Sequence, residues 1–258
     1  MLGGRPPRLI VESILEREHY VALARMIRLY PAFPVVAKRY FIGGGRYPSV
    51  CQVRTPTGTV APVVYSHHDI FTVHEIFGRE DYRAGPDLGI VVDVGSNIGI
   101  SALYFLTRNR TSRCYLYEPV PRNIERLCAN LAGYEERFSL QRVAVGAAAG
   151  TVDFTVEPTG RYGGIGVAGE ERIRVPCLAV ADVIGEVLAL EEEIDLLKID
   201  TEGAEMDTLR AIPAEQLARI RTICFETTVP YNPDPHSFTD SFACQTCRLD
   251  RRSAPTNR

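Results

Sequence analysis

Residues 91–106, which read VVDVGSNIGISALYFL, constrain the fold more than any other stretch. An apolar, β-branched run at 90–94 is typical of a strand that is covered on both faces. A turn containing Gly95 and Gly99 follows, and the residues after it have the apolar spacing of a helix. A strand, a glycine turn and a helix in this order bring the backbone close to a nucleotide-like ligand at the helix N-terminus. The stretch therefore predicts a ligand-binding loop in an α/β fold.

The overall composition favours an ordinary cytoplasmic protein. The 258 residues carry a net charge of −3, which gives no indication of nucleic acid or of an anionic membrane as the partner. No apolar run approaches the roughly 18 residues of a membrane span, so no stable membrane insertion is expected, and the N-terminus shows no export signal. The seven cysteines are an odd number and mostly scattered, which favours reduced thiols.

The order of the predicted elements indicates three segments. Residues 1–84 predict a lead-in of helices and a small β segment, with Gly85 and Pro86 marking its end. Residues 85–228 alternate strands and helices, which predicts a mostly parallel sheet, and the glycine-rich 159–172 stretch predicts a mobile loop. Residues 229–258 contain many prolines and hydroxyl side chains with little periodicity, which predicts an irregular tail.

The turn after the first strand of this domain is the first candidate binding element. Its spacing is D-x-G-x-x-x-G, and the lack of a third glycine at the usual place argues against NAD. The glycines allow the backbone to lie against a ligand, while the asparagine and backbone N–H groups can hold polar ligand atoms. The acidic residue, Asp93, either orients the loop or contacts a cationic part of the ligand. The candidate residues are Asp93, Gly95, Ser96, Asn97 and Gly99.

Glu118 is the second candidate. It ends the next predicted strand, 19 residues after Gly99. An acidic residue at this place suits two hydrogen bonds to ribose hydroxyls. A ligand with a ribose, an adenine and a positively charged methionine end fits this combination, which resembles a class I S-adenosylmethionine methyltransferase.

Further motifs make the resemblance more specific. They are Glu118 with Pro119, Asn123, the VAVG at 143–146 that contains Ala144, and IDLLKIDTEGAE at 194–205. Together they resemble the FkbM family of methyltransferases over roughly residues 50–226. The family's late motif runs close to D-x-x-K-x-D-x-E-G-x-E, and here it reads Asp195, Lys198, Asp200, Glu202, Gly203, Glu205.

The resemblance implies a Rossmann-like class I methyltransferase sheet with S-adenosyl-L-methionine as cofactor. The implied reaction is O-methylation of a hydroxyl on a sugar, lipid or natural product, so the partner is a small-molecule or glycan acceptor. The cofactor-binding residues would be the loop residues together with Glu118, Asn123 and Ala144. The oligomeric state is left open.

Asp200 and Glu202 are the candidate catalytic residues. Asp200 follows a buried strand at the edge where ligands bind in such sheets. It could act as a general base or orient the substrate, because an alcohol nucleophile has a pKa far above 7. Alternatively, Asp200 and Glu226 at neighbouring strand ends hold Mg²⁺, which prefers oxygen ligands, or the carboxylates are purely structural. Lys198 is expected to pair with a carboxylate beneath the site.

One departure from the class I pattern affects the expected activity. Such sheets normally end with an antiparallel hairpin after the fifth strand, but the residues after Glu226 do not read as two strands. A sheet that lacks this hairpin exposes an edge near the cofactor. The alternative function is therefore a catalytically impaired, cofactor-binding member of the family. A nucleotide-binding oxidoreductase is the third hypothesis, and the glycine spacing argues against it.

Overall fold

The computed structural model describes residues 25–156, 163–165, 171–201 and 203–252. The chain forms two compact units that divide between Arg79 and Glu80. The sequence placed the corresponding boundary at 84/85, five residues later. Between residues 25 and 252, leaving out the undescribed gaps, no helix has the length and apolar character needed to cross a bilayer.

The first unit contains short helices and two small antiparallel ladders. Its elements are α1 (Phe33–Ile42), β1 (Ser49–Val50), β2 (Val53–Thr55), β3 (Gly58–Val60), β4 (Val63–Val64) and α2 (His67–Val73), with a π-helical turn at His74–Arg79. In the chain, the hairpin β2–β3 lies between the paired strands β1 and β4. Helix α2 begins with a capping box in which Ser66 and Asp69 bond to each other's backbone N–H groups.

The second unit is an α/β domain. Its strands are β5 (Ile90–Val94), β6 (Arg113–Tyr117), β7 (Phe138–Gln141), β8 (Ala144–Gly146), β9 (Gly150–Val156), β10 (Gly163–Ile165), β11 (Glu171–Ala179), β12 (Ile194–Ile199), β13 (Ile220–Glu226), β14 (Phe238–Ala243) and β15 (Thr246–Arg251). Its helices are α3 (Ile100–Leu106), α4 (Pro121–Asn130), α5 (Val180–Leu190), α6 (Glu205–Arg210) and α7 (Ala214–Leu217), with a 3₁₀ turn at Glu135–Arg137.

A seven-stranded sheet organises the second unit. The strand order is β14-β15-β13-β12-β5-β6-β7, and the five strands from β13 to β7 are parallel. The order reverses between β5 and β12, and ligands of such sheets bind beyond the carboxyl ends of the strands at this point. The predicted class I, mostly parallel α/β sheet is confirmed.

The prediction of an irregular C-terminal tail is wrong for the last two strands. β15 pairs antiparallel with β13, and β14 pairs antiparallel with β15, so the hairpin that appeared to be missing completes the sheet. The side chains of Phe238, Cys247 and Leu249 are almost fully buried in the main core. The expected exposed edge after β13 is therefore covered.

A second sheet lies between β7 and β12 in the chain. Its order is β10-β9-β11-β8, with β11 antiparallel to β9 and parallel to β8. Within the predicted 159–172 loop, residues 163–165 form β10, paired with β9, and β11 begins at Glu171. The remaining part of that predicted loop, 159–162 and 166–170, lies outside the described residues.

Candidate active site

The glycine turn after β5 is held by its own backbone and by the end of β6. The N–H groups of Gly95 and Ser96 donate to the carbonyl of Tyr117 at 3.0 and 3.1 Å. Gly95 has φ +79°, and a Cβ atom built on it would lie 1.9 Å from the carbonyl oxygen of Asp200. Only glycine fits here, because the position is left-handed and in contact with the next strand end. Gly99, also left-handed, begins α3 against Leu127.

Glu118 lies at the tip of β6 and is hydrogen-bonded to this turn. One carboxylate oxygen accepts from the N–H of Asn97 at 2.9 Å, and the other from the N–H of Val120 at 3.0 Å and the amide of Asn123 at 3.3 Å. The side chain is nearly fully buried, and burial raises the pKa of Glu118 to about 7 although these bonds lower it. Three of the predicted cofactor residues therefore meet at one point.

Ala144 occupies a neighbouring apolar position. It lies on β8, in the second sheet, and belongs to a buried cluster with Val120, Val175 and Cys177. Because Val120 also binds Glu118 through its backbone, this cluster adjoins the carboxylate. The structure therefore places Ala144 next to the other predicted cofactor residues, in apolar surroundings.

A row of three charged groups connects β5 and β12. Asp93 and Lys198 are partners in the register of the two strands. The Lys198 ammonium lies 3.0 Å from Asp93 Oδ1 and 3.2 Å from Asp200 Oδ2, and it donates to the carbonyl of Gly95 at 2.9 Å. Exposure rises along the row, with 0% for the Asp93 side chain, 2% for Lys198 and 24% for Asp200. Asp200 is thus the member of the row that reaches solvent.

The row keeps the buried Lys198 protonated. Burial lowers the pKa of Lys198, but Asp200 and Asp93 raise it more, so the pKa lies above the usual lysine value. Asp93 also accepts from the hydroxyl of Ser101 at 2.6 Å, and its backbone carbonyl accepts from Ser96. This geometry favours the loop-orienting alternative for Asp93. The expectation that Lys198 pairs with a carboxylate beneath the site is confirmed.

Tyr82 joins the row to the next strand end and was not predicted as a site residue. Its hydroxyl lies 3.4 Å from Asp200 Oδ2 and 3.4 Å from Glu226 Oε1. Burial raises the pKa of Tyr82 well above its usual value, and Asp200 and Glu226 raise it further, so the hydroxyl keeps its proton. The contacts span more than a hundred residues of sequence, so no local motif indicated Tyr82.

Some residues of the late motif stabilise the fold, and others lie in the candidate site. Asp195 lies at the start of β12, where it accepts from the N–H groups of Gly89 and Ile90 and pairs with Arg221 at 2.8 Å. Glu205 accepts from the N–H groups of Thr201 and Gly203 and so closes the turn after β12. These two acids stabilise the fold around the site. The other predicted catalytic residue, Glu202, lies outside the described residues.

The geometry does not support the magnesium alternative. In the described part of the chain, no group of three or more His, Cys, Asp or Glu side chains is arranged to hold a metal ion. The Lys198 ammonium, which also pairs with Asp93, lies 3.2 Å from Asp200 and weakens the attraction of this carboxylate for a divalent cation. Asp200 and Glu226 are brought together, as predicted, but Tyr82 lies between them.

Comparison with known proteins identifies the family. Residues 93–242 match the family model described as the Methyltransferase FkbM domain, which covers more than half of the chain. The chain belongs to the FkbM methyltransferase family. This FkbM domain begins at Asp93 and ends within the hairpin strand β14, so the loop, the late motif and most of the sheet lie inside it. Membership implies S-adenosylmethionine as the methyl donor.

Three relatives of this FkbM chain illustrate the range of the similarity. The AMB antimetabolite synthetase AmbE of Pseudomonas aeruginosa is 30% identical over 201 residues, which are 63% of this chain but 9% of the synthetase. Methyltransferase sdnD of Sordaria araneosa is 27% identical and matched over 62% of this chain and 75% of its own length. A crystal structure of the FkbM methyltransferase from Methylobacillus flagellatus KT is 15% identical, with a TM-score of 0.41, and the match covers 81% of this chain and 48% of that chain.

Proposed function

We propose that this FkbM methyltransferase transfers a methyl group from S-adenosylmethionine to a hydroxyl of a small-molecule or glycan acceptor, such as a sugar, lipid or natural product. One observation supports the proposal most strongly. The glycine turn of the cofactor loop and the partly exposed Asp200 are in direct contact at the carboxyl edge of the sheet. A methyl donor held by this turn and a hydroxyl held by Asp200 would therefore be neighbours.

The residues around the turn fit an adenosine-containing cofactor. Three hydrogen bonds use three of the roughly four acceptor positions of an ionised Glu118, so this carboxylate can also accept from a ribose hydroxyl. The apolar cluster of Val120, Ala144 and Cys177 suits the face of an adenine ring. Gly95 and Gly99 keep side chains away from the turn.

Asp200 is the residue to which we assign the acceptor hydroxyl. When bound, S-adenosylmethionine supplies an electrophilic methyl group on a sulfonium centre. The oxygen that attacks must lose its proton, so a hydrogen-bond acceptor beside it assists the reaction. Lys198 and Tyr82 both contact Oδ2 of Asp200, and we assign the acceptor hydroxyl to Oδ1.

Tyr82 and Glu226 complete the proposed acceptor site. The phenol has one proton, so at any moment it donates to either Asp200 or Glu226 but not to both. A carboxylate has roughly four acceptor positions, so each of the two can also accept from a hydroxyl of a polyhydroxylated acceptor. Two carboxylates at neighbouring strand ends favour a sugar-like or polyol acceptor over one with an isolated hydroxyl.

The reason to consider an impaired family member no longer applies. That hypothesis rested on an absent hairpin, and β14 and β15 form this hairpin. The oxidoreductase alternative gains no support, because the turn lacks the third glycine of dinucleotide-binding loops.

The proposal is tested by methyl transfer to a panel of sugars, polyols and hydroxylated natural products, with product detected by its mass increase. Asp200→Asn keeps the shape of the side chain but removes its charge, and we expect turnover to fall about 10²- to 10⁴-fold with little change in cofactor affinity. Asp207→Asn is the matched control, since Asp207 is an exposed aspartate on α6. Normal turnover by Asp200→Asn would remove the assigned role. Transfer to an amine, thiol or carbon atom would refute the O-methylation proposal.

Assays with and without metal distinguish this role of Asp200 from the alternative in which Asp200 and Glu226 bind Mg²⁺. We expect the same turnover with EDTA and with added Mg²⁺, because Lys198 and Tyr82 take the place of a cation beside Asp200. Loss of activity in EDTA that Mg²⁺ restores would favour the metal-binding role of Asp200 and Glu226.

A further inference from the structure

The net charge of the whole chain hides a strong local asymmetry. Residues 21–68 contain six Lys or Arg residues and no Asp or Glu: Arg25, Arg28, Lys38, Arg39, Arg46 and Arg54. The rest of the chain holds the other 23 basic residues and all 32 acidic residues, which gives it a net charge of −9. All six cations except Arg39 are exposed. The first unit therefore presents a basic surface that the overall charge of −3 conceals.

The same segment concentrates exposed apolar side chains. Eight large hydrophobic residues are exposed in the described part of the chain, and five lie between residues 27 and 50: Ile27, Val35, Phe41, Ile42 and Val50. Phe41 is 68% exposed and Ile42 is 71% exposed. Leaving such side chains in contact with water has no benefit for a free protein, so their concentration in one segment indicates a surface that another body covers.

Helix α1 places three of these side chains and a cation on one face. Val35, Lys38 and Ile42 have helical i, i+3 and i+7 spacing, and Phe41 lies three residues after Lys38. The opposite side of the helix is anchored in the unit by the buried Val36. The side chains of Val35 and Val50 line one groove of about 200 Å³, which extends the apolar surface from α1 to β1. Arg39 joins the same two elements by donating to the hydroxyl of Ser49.

We propose that this face of the first unit, formed by α1 and β1 within the segment that carries the six cations, binds the surface of an anionic lipid bilayer. A short helix with an apolar face and flanking Lys or Arg residues lies in the interface, with its apolar side chains in the acyl boundary and its cations at the headgroups. Charge complementarity selects anionic lipid. The exposed Phe41 and Ile42 favour lipid over nucleic acid, whose backbone requires cations but no aliphatic contact. The inference is independent of the proposed methyl transfer.

The test is co-sedimentation of the full chain with lipid vesicles. We expect binding to phosphatidylcholine vesicles in which about one third of the lipid is phosphatidylglycerol, no binding to phosphatidylcholine alone, and release as salt is raised. Phe41→Ser with Ile42→Ser should weaken binding by at least about tenfold. Lys38→Glu should weaken it about fivefold or more.

Two control variants carry the same chemical changes elsewhere. Leu190→Ser removes an apolar side chain that is 75% exposed at the end of α5, and Arg110→Glu reverses an exposed charge in the second unit. Both should bind as the unchanged chain does, and circular dichroism checks that every variant is folded. Absence of binding, equal binding to neutral vesicles, or equal loss in the control variants would overturn the proposal. Concentration-dependent dimerisation abolished by the Phe41 and Ile42 changes, without vesicle binding, would overturn it in favour of a second copy of the chain.

Discussion

Gly95→Ala tests the contact between the cofactor turn and the end of β12. A Cβ atom at Gly95 would lie 1.9 Å from the Asp200 carbonyl oxygen, about 1.5 Å closer than an ordinary contact of 3.4 Å. Asp200 is also tied to this same strand end, because its N–H donates to the carbonyl of Val94 at 3.1 Å. Two strand ends must therefore separate, and the row of Asp93, Lys198 and Asp200 must move with them.

The loss of stability expected for Gly95→Ala has two parts that a control variant can separate. A side chain at φ +79° costs about 1–2 kcal/mol. The overlap with backbone adds about 1–3 kcal/mol. Gly133→Ala is the matched control: Gly133 has φ +91°, but no described atom lies within 4 Å of its added Cβ, so only the first part applies.

Urea unfolding followed by circular dichroism measures both variants. We expect Gly95→Ala to lower the free energy of unfolding by about 1–3 kcal/mol more than Gly133→Ala does. We also expect Gly95→Ala, but not Gly133→Ala, to weaken cofactor binding. Equal stability losses within about 0.5 kcal/mol, with cofactor affinity unchanged, would refute the tight contact between the turn and Asp200.

Three further predictions concern the buried acid, the buried lysine and the corrected hairpin. Burial raises the pKa of Glu118 to about 7, so affinity for S-adenosylmethionine should fall as pH decreases through 7, approaching tenfold per pH unit. Calorimetric titrations at several pH values check this, and Glu118→Gln should bind weakly without this pH dependence. Lys198→Met leaves two carboxylates without their buried cation and should lower the free energy of unfolding by about 3–5 kcal/mol, whereas Lys38→Met on an exposed helix face should lower it little. Equal losses of stability in the two variants would show that the ion pairs contribute nothing. Leu249→Ala should lower the free energy of unfolding in urea by about 2–5 kcal/mol, because the side chain is fully buried, while Val229→Ala at an exposed position should change it little. Unchanged stability in Leu249→Ala would argue against a hairpin that is part of the sheet.

The features that could be predicted from the sequence are those encoded by neighbouring residues. The turn of Gly95 and Gly99 follows its strand directly, and the contact of Glu118 with Asn97 follows from two parallel strand ends lying side by side. The late motif indicated the pairing of Lys198, because a lysine inside a buried strand needs a carboxylate. Local sequence pattern and general electrostatics were sufficient to predict the glycine turn, the position of Glu118 and the pairing of Lys198.

The hairpin was missed because its turn and its edge strand lack the usual signals. Cys244 and Gln245 have φ of 52° and 64°, which is the left-handed pair of a type I′ turn, but such turns normally contain Asn and Gly. β14 is an edge strand whose side chains after Phe238 are exposed and polar or small, apart from Phe242, so it does not read as a buried strand. The remaining signal was the alternation on β15 of the buried Cys247 and Leu249 with the charged Arg248 and Asp250.

Tyr82 and the basic surface could not be derived from motifs for a different reason. The contacts of Tyr82 with Asp200 and Glu226 depend on the whole sheet bringing distant strand ends together. The surface around Phe41 depends on which helix face is buried, and the sum of charges over the chain masks it. Both features require the fold before their chemistry can be recognised.

Cofactor selection by the glycine turn is the central claim, and calorimetry tests it most directly. S-adenosylmethionine and NAD are titrated into the full chain and into its Glu118→Ala and Glu125→Ala variants, where Glu125 is an exposed glutamate on the neighbouring helix α4. We predict micromolar binding of S-adenosylmethionine to the full chain and to Glu125→Ala, loss of that binding in Glu118→Ala, and no binding of NAD. Unchanged affinity in Glu118→Ala, or tighter binding of NAD than of S-adenosylmethionine, would contradict the account.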